Sequence, residues 1–203
     1  MRVVTVGGEY GAGRAEIAQA VAEGLGWRLL DSCLIEDIAR IAHLDPALCR
    51  RFDEVNDPWF HRLQKALWQG GFEGEASTTE GAPDADSVAK AAHQVILEAA
   101  RQGNCVIVGR GGQCVLQQDH NAFHVFVYAP LEERAARVRK REKPHVDVYA
   151  LIDNWDRRRA AYVRRHFAQD WTNRHLYDLM VCSSMGDAAA ARAVLAAVEA
   201  LKP

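Results

Sequence analysis

The sequence predicts an α/β protein in which a parallel sheet lies between two layers of helices. Short apolar runs alternate with helix-patterned segments, and this alternation favours connections that cross from one parallel strand to the next. A glycine-rich turn joins the first apolar run to the first helix. The run Cys105-Val106-Ile107-Val108 is apolar throughout, which is typical of a strand buried on both faces.

Five strands are predicted, at residues 3–6, 27–30, 105–108, 123–128 and 177–182. The first helix follows the glycine-rich turn and ends near Gly26, because apolar residues recur there at helical spacing. The same periodicity predicts helices over residues 88–103, 131–141, 145–167 and 188–201. Residues 33–69 have a helical pattern, whereas residues 70–86, rich in glycine, acidic residues, serine and threonine, predict a mobile loop.

Length and composition indicate one globular domain, residues 1–203, which is long enough to bury a full core. The formal net charge of −2 provides no overall field that would recruit nucleic acid or a membrane. Residues 134–174, however, hold 12 Lys and Arg against 5 Asp and Glu, while the rest of the chain holds 13 against 22. This basic segment indicates a local anionic partner, although two solvated charged helices would have the same composition.

Cysteine usage and hydropathy predict a cytoplasmic protein. The five cysteines are scattered, no C-x-x-C pair occurs, and no Cys/His spacing fits zinc. The sequence has no signal peptide and no apolar run of about 18 residues, so no membrane span is expected.

The turn after the first strand has the pattern of a phosphate cradle, in which backbone N–H groups and the helix dipole favour an anion. It nearly matches G-x-x-x-x-G-K-[ST] and comprises Gly8, Glu9, Tyr10, Gly11, Ala12, Gly13, Arg14 and Ala15. Arg14 replaces the lysine, so a planar, forked guanidinium takes the place of a compact ammonium. Ala15 replaces the Ser/Thr and has no hydroxyl for Mg²⁺, so the ion would need other ligands or water.

Two other interpretations of this turn stay open. A glycine-rich turn between a strand and a helix is also compatible with a segment that binds nothing. In addition, Gly11-Ala12-Gly13 together with Asp31 partly imitates a dinucleotide-binding fingerprint, but Glu16 occupies the position of the third glycine.

Polar residues follow two further strands at the carboxyl edge of the predicted sheet, where ligands bind in folds of this type. Asp31 follows the second strand and suits a ribose, a base or a metal-bound water, or else the N-cap of a helix that begins at Ser32. Arg110, in Gly109-Arg110-Gly111-Gly112 after the third strand, offers a fork of donors to a phosphate, or else lies in a flexible surface turn.

Residues 156–166 form the most basic stretch and predict a helix with two different faces. Helical spacing divides its charged, aromatic and apolar residues into two sets: Asp156, Arg159 and Val163, and Arg158, Tyr162 and Arg165. An arginine face of this kind can close as a lid over a donor nucleotide and stabilise a transferring phosphoryl group. A solvent-exposed helix would show the same pattern.

These stretches resemble the cytidylate kinase-like family, relatives of the nucleoside monophosphate kinases, over nearly the whole chain. The resemblance is carried by Glu9-Tyr10-Gly11-Ala12-Gly13, Glu16-Ile17-Ala18, Leu30-Asp31, residues 106–111, residues 124–134, Asp156-x-x-Arg159-x-x-Tyr162, Trp171 and residues 177–179. It implies a three-layer P-loop kinase fold with a helical lid, and ATP-dependent phosphorylation of a nucleoside monophosphate. In the cytidylate kinases proper, Gly-Arg-Asp follows the third strand; here Arg110 matches and Gly111 replaces the aspartate.

The resemblance also implies where the substrates bind. The backbone of residues 8–15 would hold the phosphates of ATP, with Arg14 as the catalytic cation. Arg110, with Gly111 beside it, would hold the phosphate of the acceptor, and Asp31 would position the acceptor or a metal. Mg²⁺ would be bound with ATP rather than at a dedicated protein site.

The lid implied by the resemblance covers about residues 143–174, and residues 33–86 form an acceptor-side insertion with its mobile loop. Arg159 would stabilise the transferring group together with one or two neighbouring arginines, Arg158 foremost. The lid residues implied in this way are Asp156, Arg157, Arg158, Arg159, Tyr162 and Arg165.

Two functions from other classes stay open. A protein that keeps the phosphate cradle without its lysine and hydroxyl is also compatible with a non-catalytic nucleotide sensor. The basic segment could contact nucleic-acid phosphates, but the sequence shows no aromatic-interleaved platform for a single strand, and the rest of the chain is acidic. ATP and a small phosphorylated acceptor are therefore the expected partners.

Overall fold

The computed structural model describes residues 1–31 and 85–201, and this part of the chain contains a five-stranded parallel sheet. The strands are β1 (Val3–Gly8), β2 (Arg28–Leu30), β3 (Cys105–Val108), β4 (Ala122–Tyr128) and β5 (Leu179–Cys182). Their order across the sheet is β2-β3-β1-β4-β5, and all four pairings are parallel. The predicted parallel sheet is confirmed, and β1 lies at its centre.

Six α-helices accompany the sheet within the described residues. They are α1 (Arg14–Leu25), α2 (Ala85–Gln102), α3 (Gly112–Val115), α4 (Leu131–Arg139), α5 (Val148–Phe167) and α6 (Asp187–Ala200). The most basic stretch, residues 156–166, lies in the long helix α5. The first turn of α5 is capped by Asp147, whose carboxylate accepts hydrogen bonds from the amides of Tyr149 and Ala150.

The two faces of the sheet are covered by different helices, which explains the apolar strands. Consecutive strand residues point to opposite faces, so Val4 lies in one core cluster and Val3 in the other. Helices α1 and α6 cover the first face, where Val21 and Val194 are fully buried. Helix α2 covers the second face and buries Val95 and other apolar residues there. A strand in the middle layer must therefore be apolar on both sides.

Several observed boundaries differ from the predicted ones by one to three residues, and two of these differences concern the predicted loop and the last strand. Helix α2 begins at Ala85, so residues 85 and 86 are helical rather than part of the predicted loop. Strand β5 begins at Leu179, because Arg174–Leu176 forms a short 3-10 helix just before it. The rest of the predicted insertion lies outside the described residues. Among those that are described, no helix is both long and apolar enough to cross a membrane.

Candidate active site

Two glycine turns lie side by side at the carboxyl edge of the sheet. The glycine loop (residues 8–15) follows β1, and the arginine turn (residues 109–111) follows β3, which pairs with β1. The Gly109 amide donates to the Val6 carbonyl at 3.1 Å, so the β1–β3 ladder continues into the turn. Gly13 has φ 80° and Gly111 has φ 70°, values that only glycine adopts without strain. The pairing of β1 with β3 thus places the two turns next to each other at the carboxyl edge of the sheet.

A cleft of about 490 Å³ opens between these two turns and helix α5. Arg14 from α1, Arg110 from the arginine turn and Arg159 from α5 all line it. The other lining residues include glycines, aromatic side chains and further polar groups: Gly7, Gly8, Gly109, Gly111, Gln113, Trp155, Arg158, Tyr162, Val163, Trp171 and Tyr177. A concave cleft with several aromatic side chains and a few convergent charged groups has the size and character of a small-molecule site.

The electrostatics of this cleft favour a bound anion. The pKa of Arg14 is lowered to about 9, mainly by burial and in addition by the nearby positive charges of Arg159 and Arg110. Burial also lowers the pKa of Arg159, although the carboxylate of Asp156 opposes this effect. Because like charges close together in a low dielectric repel one another, phosphate groups in the cleft would relieve the repulsion.

Helix α5 is tied to the glycine loop by a chain of ionic contacts. Asp156 Oδ1 accepts a hydrogen bond from the Tyr10 amide at 2.8 Å, and Asp156 Oδ2 lies 2.6 Å from Arg134 Nη1. The same arginine, on α4, places its Nε 3.3 Å from Glu9 Oε2. That carboxylate oxygen also accepts from the Ala129 amide at 3.1 Å. Arg134 therefore connects the loop, α4 and α5.

Arg159 makes a second set of contacts with the same loop. Its Nη1 donates to the Gly8 carbonyl at 2.9 Å, and its guanidinium carbon lies 5.5 Å from the Tyr10 ring centroid. The Tyr10 ring stacks on Trp155 with centroids 5.6 Å apart, and the Arg158 guanidinium lies 5.4 Å from the Trp155 centroid. Two stacked aromatic rings thus lie between two guanidinium groups, and cation–π attraction stabilises this arrangement beside the cleft.

The opposite side of the glycine loop packs closely against α4 and the start of α6. A Cβ at Gly13 would lie 2.5 Å from Arg137 Nη1 and 2.7 Å from Asp187 Oδ1. Arg137 also donates to the carbonyl of Ser183 at 3.0 Å, so it fixes the segment after β5 against the loop. Helix α1 begins without a side-chain cap, which leaves the amides of its first turn available to a ligand.

The structure does not bring every candidate residue to the cleft. Arg157 has a side chain that is 79% exposed and pairs with Asp153, and Arg165 is 65% exposed and pairs with Asp86. Asp31 is exposed at the end of β2 and does not line the cleft. The candidates that do line it are Gly8, Arg14, Arg110, Gly111, Arg158, Arg159 and Tyr162.

Sequence reasoning missed Arg134, Arg137 and Gln113 as contributors to the site. The two arginines lie three residues apart at the start of the basic segment, and that spacing was the available signal. Their partners are distant in sequence, so only the fold reveals the contacts.

The described residues contain no group of three or more His, Cys, Asp or Glu side chains that could hold a metal ion. Ala15 is exposed at the second position of α1 and has no oxygen to offer.

Comparison with known proteins gives a sequence match over most of the chain. The profile of the cytidylate kinase-like family matches residues 3–185. A curated relative, the cytidylate kinase of Serratia proteamaculans (strain 568), is 50% identical over 42 residues, which is 21% of this chain and 18% of that protein. The match thus spans less than a fifth of the curated relative.

Solved structures similar to this chain share its fold. An uncharacterized protein from Eubacterium ventriosum ATCC 27560 has a TM-score of 0.71 at 17% identity, with 98% of this chain and 99% of that chain covered. A gluconokinase from Sinorhizobium meliloti 1021 has a TM-score of 0.54 at 14% identity, over 98% and 93% of the two chains. A shikimate kinase from Acinetobacter baumannii in complex with shikimate has 0.51 at 15% identity, over 100% and 96%. The predicted P-loop kinase fold is confirmed.

Proposed function

Because the chain belongs to the cytidylate kinase-like family, we propose that it is a phosphotransferase of the nucleoside monophosphate kinase type. It moves the γ-phosphoryl group of ATP to a small phosphorylated acceptor, with CMP or a related nucleoside monophosphate as the first candidate. The observation that carries this proposal is the convergence of Arg14, Arg110 and Arg159 on one cleft.

The three arginines have different roles in phosphoryl transfer, which depends mainly on positioning the substrates and neutralising their charge. Arg14 and the uncapped amides at the start of α1 bind the phosphates of ATP. Arg110 holds the phosphate of the acceptor at the neighbouring turn. Arg159 stabilises the group in transfer from the lid side, with Arg158 at the cleft wall. An acceptor that is already an anionic phosphate needs no general base.

Mg²⁺, bound with ATP, neutralises part of the phosphate charge. The protein contributes no hydroxyl from Ala15, so the guanidinium groups of Arg14 and Arg159 supply the protein's share of the positive charge. This division of charge is consistent with a loop in which arginine replaces lysine. The cytoplasm, which supplies ATP and nucleotides, is the proposed location.

The proposal is tested by ADP production from Mg-ATP with a panel of nucleoside monophosphates, and with Arg110→Ala alongside the wild type. We expect turnover with at least one acceptor, and a raised KM for that acceptor in Arg110→Ala. Arg14→Ala should instead lower kcat. Equal and negligible effects of both substitutions on turnover would remove these assignments.

A nucleotide sensor is the second candidate, and the specific observation in its favour is Ala15 at the position of the metal-binding hydroxyl. The double variant Arg14→Lys, Ala15→Ser discriminates the two functions. If the wild type binds ATP without turnover and the double variant gains turnover, the protein is a sensor. If the wild type itself shows turnover and the double variant shows no increase in turnover, the protein is an enzyme.

A further inference from the structure

The last residue of helix α5, Phe167, packs directly against the arginine turn. A Cβ at Gly111 would overlap with Phe167 Cε2 and would lie 2.8 Å from Phe167 Cζ. The aromatic ring therefore occupies the space in which a side chain at position 111 would lie. Phe167 does not itself line the cleft, and the function described so far does not use it.

The backbone of the arginine turn has a conformation that needs support. Arg110 has φ 50°, in the left-handed region that a residue with a Cβ adopts only at a cost in free energy. The β1–β3 ladder holds the start of the turn, and at its end the Gly111 carbonyl accepts a hydrogen bond from the Cys114 amide at 2.7 Å. A strained conformation persists where its surroundings determine it. The ring of Phe167 provides such support from the side of α5.

Phe167 belongs to a cluster of rings at the end of α5. Its ring lies 4.7 Å from that of His93 on α2, centroid to centroid, and 6.3 Å from that of Tyr162 on α5. The guanidinium carbon of Arg110 lies 5.9 Å from the Tyr162 centroid, within the range of cation–π attraction. The cluster therefore holds the end of α5 against α2 and places two aromatic rings beside the arginine turn.

Helix α5 thus contacts both turns of the site. Arg159 donates to the carbonyl of Gly8 in the glycine loop, and Phe167 packs on Gly111 in the arginine turn. The rise from residue 159 to residue 167 of an α-helix is about 12 Å, and the backbone hydrogen bonds keep this length constant. One helix therefore sets the separation between the loop that is proposed to bind ATP and the turn that is proposed to bind the acceptor.

We propose that Phe167 is a positioning residue, whose ring holds the arginine turn so that Arg110 stays in place for the acceptor phosphate. The inference rests on the proposed function, in which Arg110 binds that phosphate. Without the ring, the turn can relax from its strained conformation and the guanidinium moves away from the acceptor. ATP binds at the glycine loop, which α5 contacts through other residues. The effect of Phe167 is therefore selective for the acceptor.

Phe167→Ala tests this selectivity. The probes are CMP, UMP, AMP and GMP, and the one that the wild type binds most tightly is used with the variants, in calorimetry and in steady-state kinetics. Its Kd and KM should rise about three- to tenfold, within the range for residues in direct contact, while KM for ATP changes less than about twofold. Phe167→Leu, which keeps apolar volume, should show the same selective change to a smaller degree.

Leu195→Ala is the matched control. Leu195 is a half-buried residue of α6 that also packs against a glycine, since a Cβ at Gly24 would lie 2.8 Å from its Cδ1. Both Phe167→Ala and Leu195→Ala lose packing and should lower the free energy of unfolding in urea. Only Phe167→Ala should weaken binding of the monophosphate, so this change reports positioning rather than stability.

Two double-variant cycles show whether Phe167 acts through the arginine turn. In the Arg110→Ala background, Phe167→Ala should cause no further weakening, because the guanidinium that the ring positions is absent. Gly111→Ala alone should weaken the monophosphate by about tenfold or more, since the new methyl group meets the ring and displaces the turn. Adding Phe167→Ala removes this clash, so the double variant should bind better than Gly111→Ala alone. The strain of alanine at φ 70° is present in both proteins and cancels.

The outcomes distinguish this inference from the proposed function. A loss of monophosphate binding in Phe167→Ala that disappears in the Arg110→Ala background, in a protein without phosphoryl transfer, supports the positioning role and removes the kinase function. The positioning role alone is overturned if transfer occurs but Phe167→Ala raises both KM values alike, changes neither, or adds its full effect to that of Arg110→Ala. If the wild type binds none of the four monophosphates, both conclusions fall.

Discussion

Helix α5 carries arginines on two faces, and these faces have different surroundings. Arg159 is 19% exposed and contacts the Gly8 carbonyl and Asp156. Arg157, two residues earlier, is 79% exposed and pairs with Asp153 on its own helix. Two residues correspond to a rotation of about 200° around the helix axis, so one guanidinium faces the glycine loop and the other faces solvent. Identical residue types therefore have different roles according to what they face.

The largest expected effect is on catalysis by Arg159→Ala. We expect kcat/KM for phosphoryl transfer to fall by about 10²–10³, because a charge aimed at the transferring group is lost from a partly desolvated cleft. Arg157→Ala is the matched control and should retain activity within about twofold, because its charge lies in solvent. Steady-state kinetics measures both. Similar losses in the two variants would contradict the distinction between the two faces.

The second-largest expected effect is on the free energy of unfolding, through the contacts made by the face of α5 that carries Asp156 and Arg159. Asp156→Ala removes the acceptor of the Tyr10 amide and leaves Arg134 with fewer ionic partners. We expect the free energy of unfolding to fall by about 1–3 kcal/mol, as for other partly buried polar groups that lose their partner. Urea denaturation measures it, with Asp153→Ala on the outward face as the control. An equal and small change in both variants would mean that the contacts of Asp156 with Tyr10 and Arg134 contribute nothing to stability.

The pH dependence of ATP binding sharpens the contribution of Arg14. The pKa of its guanidinium is lowered from 12.5 to about 9, so the group is charged at neutral pH and loses its proton as the pH rises through that value. Only the charged form attracts phosphate, so ATP affinity should fall above pH 9, by at most about tenfold per pH unit for one proton. Calorimetry between neutral pH and about pH 10 measures this fall. In Arg14→Met the affinity should be low throughout, without the decrease above pH 9; the same decrease in that variant would assign it to another group.

The smallest expected effect is that of Arg157→Ala on stability. An exposed pair four residues apart on one helix contributes about 0.3–0.5 kcal/mol, and salt screens it. The free energy of unfolding in urea should therefore change by no more than about this amount. A larger change would show that the outward face contacts more than solvent.

Part of the difference between the two faces of α5 could be predicted from the sequence. Helical spacing placed Asp156, Arg159 and Val163 on one face, and Val163 is buried in the structure. It placed Arg158, Tyr162 and Arg165 on another face, of which Arg158 and Tyr162 line the cleft and Arg165 is exposed. The glycine loop and Arg110 were predictable because parallel strands present their carboxyl ends at one edge of the sheet.

The remaining contacts join residues that are far apart in the sequence. They depend on how the helices and strands pack, and helical periodicity carries no information about that packing. Arg134 meets Glu9 only because α4 packs beside the glycine loop. Arg165 pairs with Asp86, a residue that composition placed in a loop and the fold places in α2. Gln113 donates a hydrogen bond to the hydroxyl of Tyr177, which is 64 residues away in sequence. Contacts of this kind follow from tertiary packing rather than from local pattern.

The most direct test of the account is a calorimetric titration with a bisubstrate compound, in which adenosine and a second nucleoside are joined by a polyphosphate chain. If Arg14, Arg110 and Arg159 act on phosphates in one cleft, this compound should bind more tightly than ATP or any monophosphate alone. Each of Arg14→Met, Arg110→Ala and Arg159→Ala should weaken it at least tenfold, roughly the effect of losing one charged hydrogen bond, while Arg157→Ala should not. Binding no tighter than that of ATP, or unaffected by the three substitutions, would contradict the account.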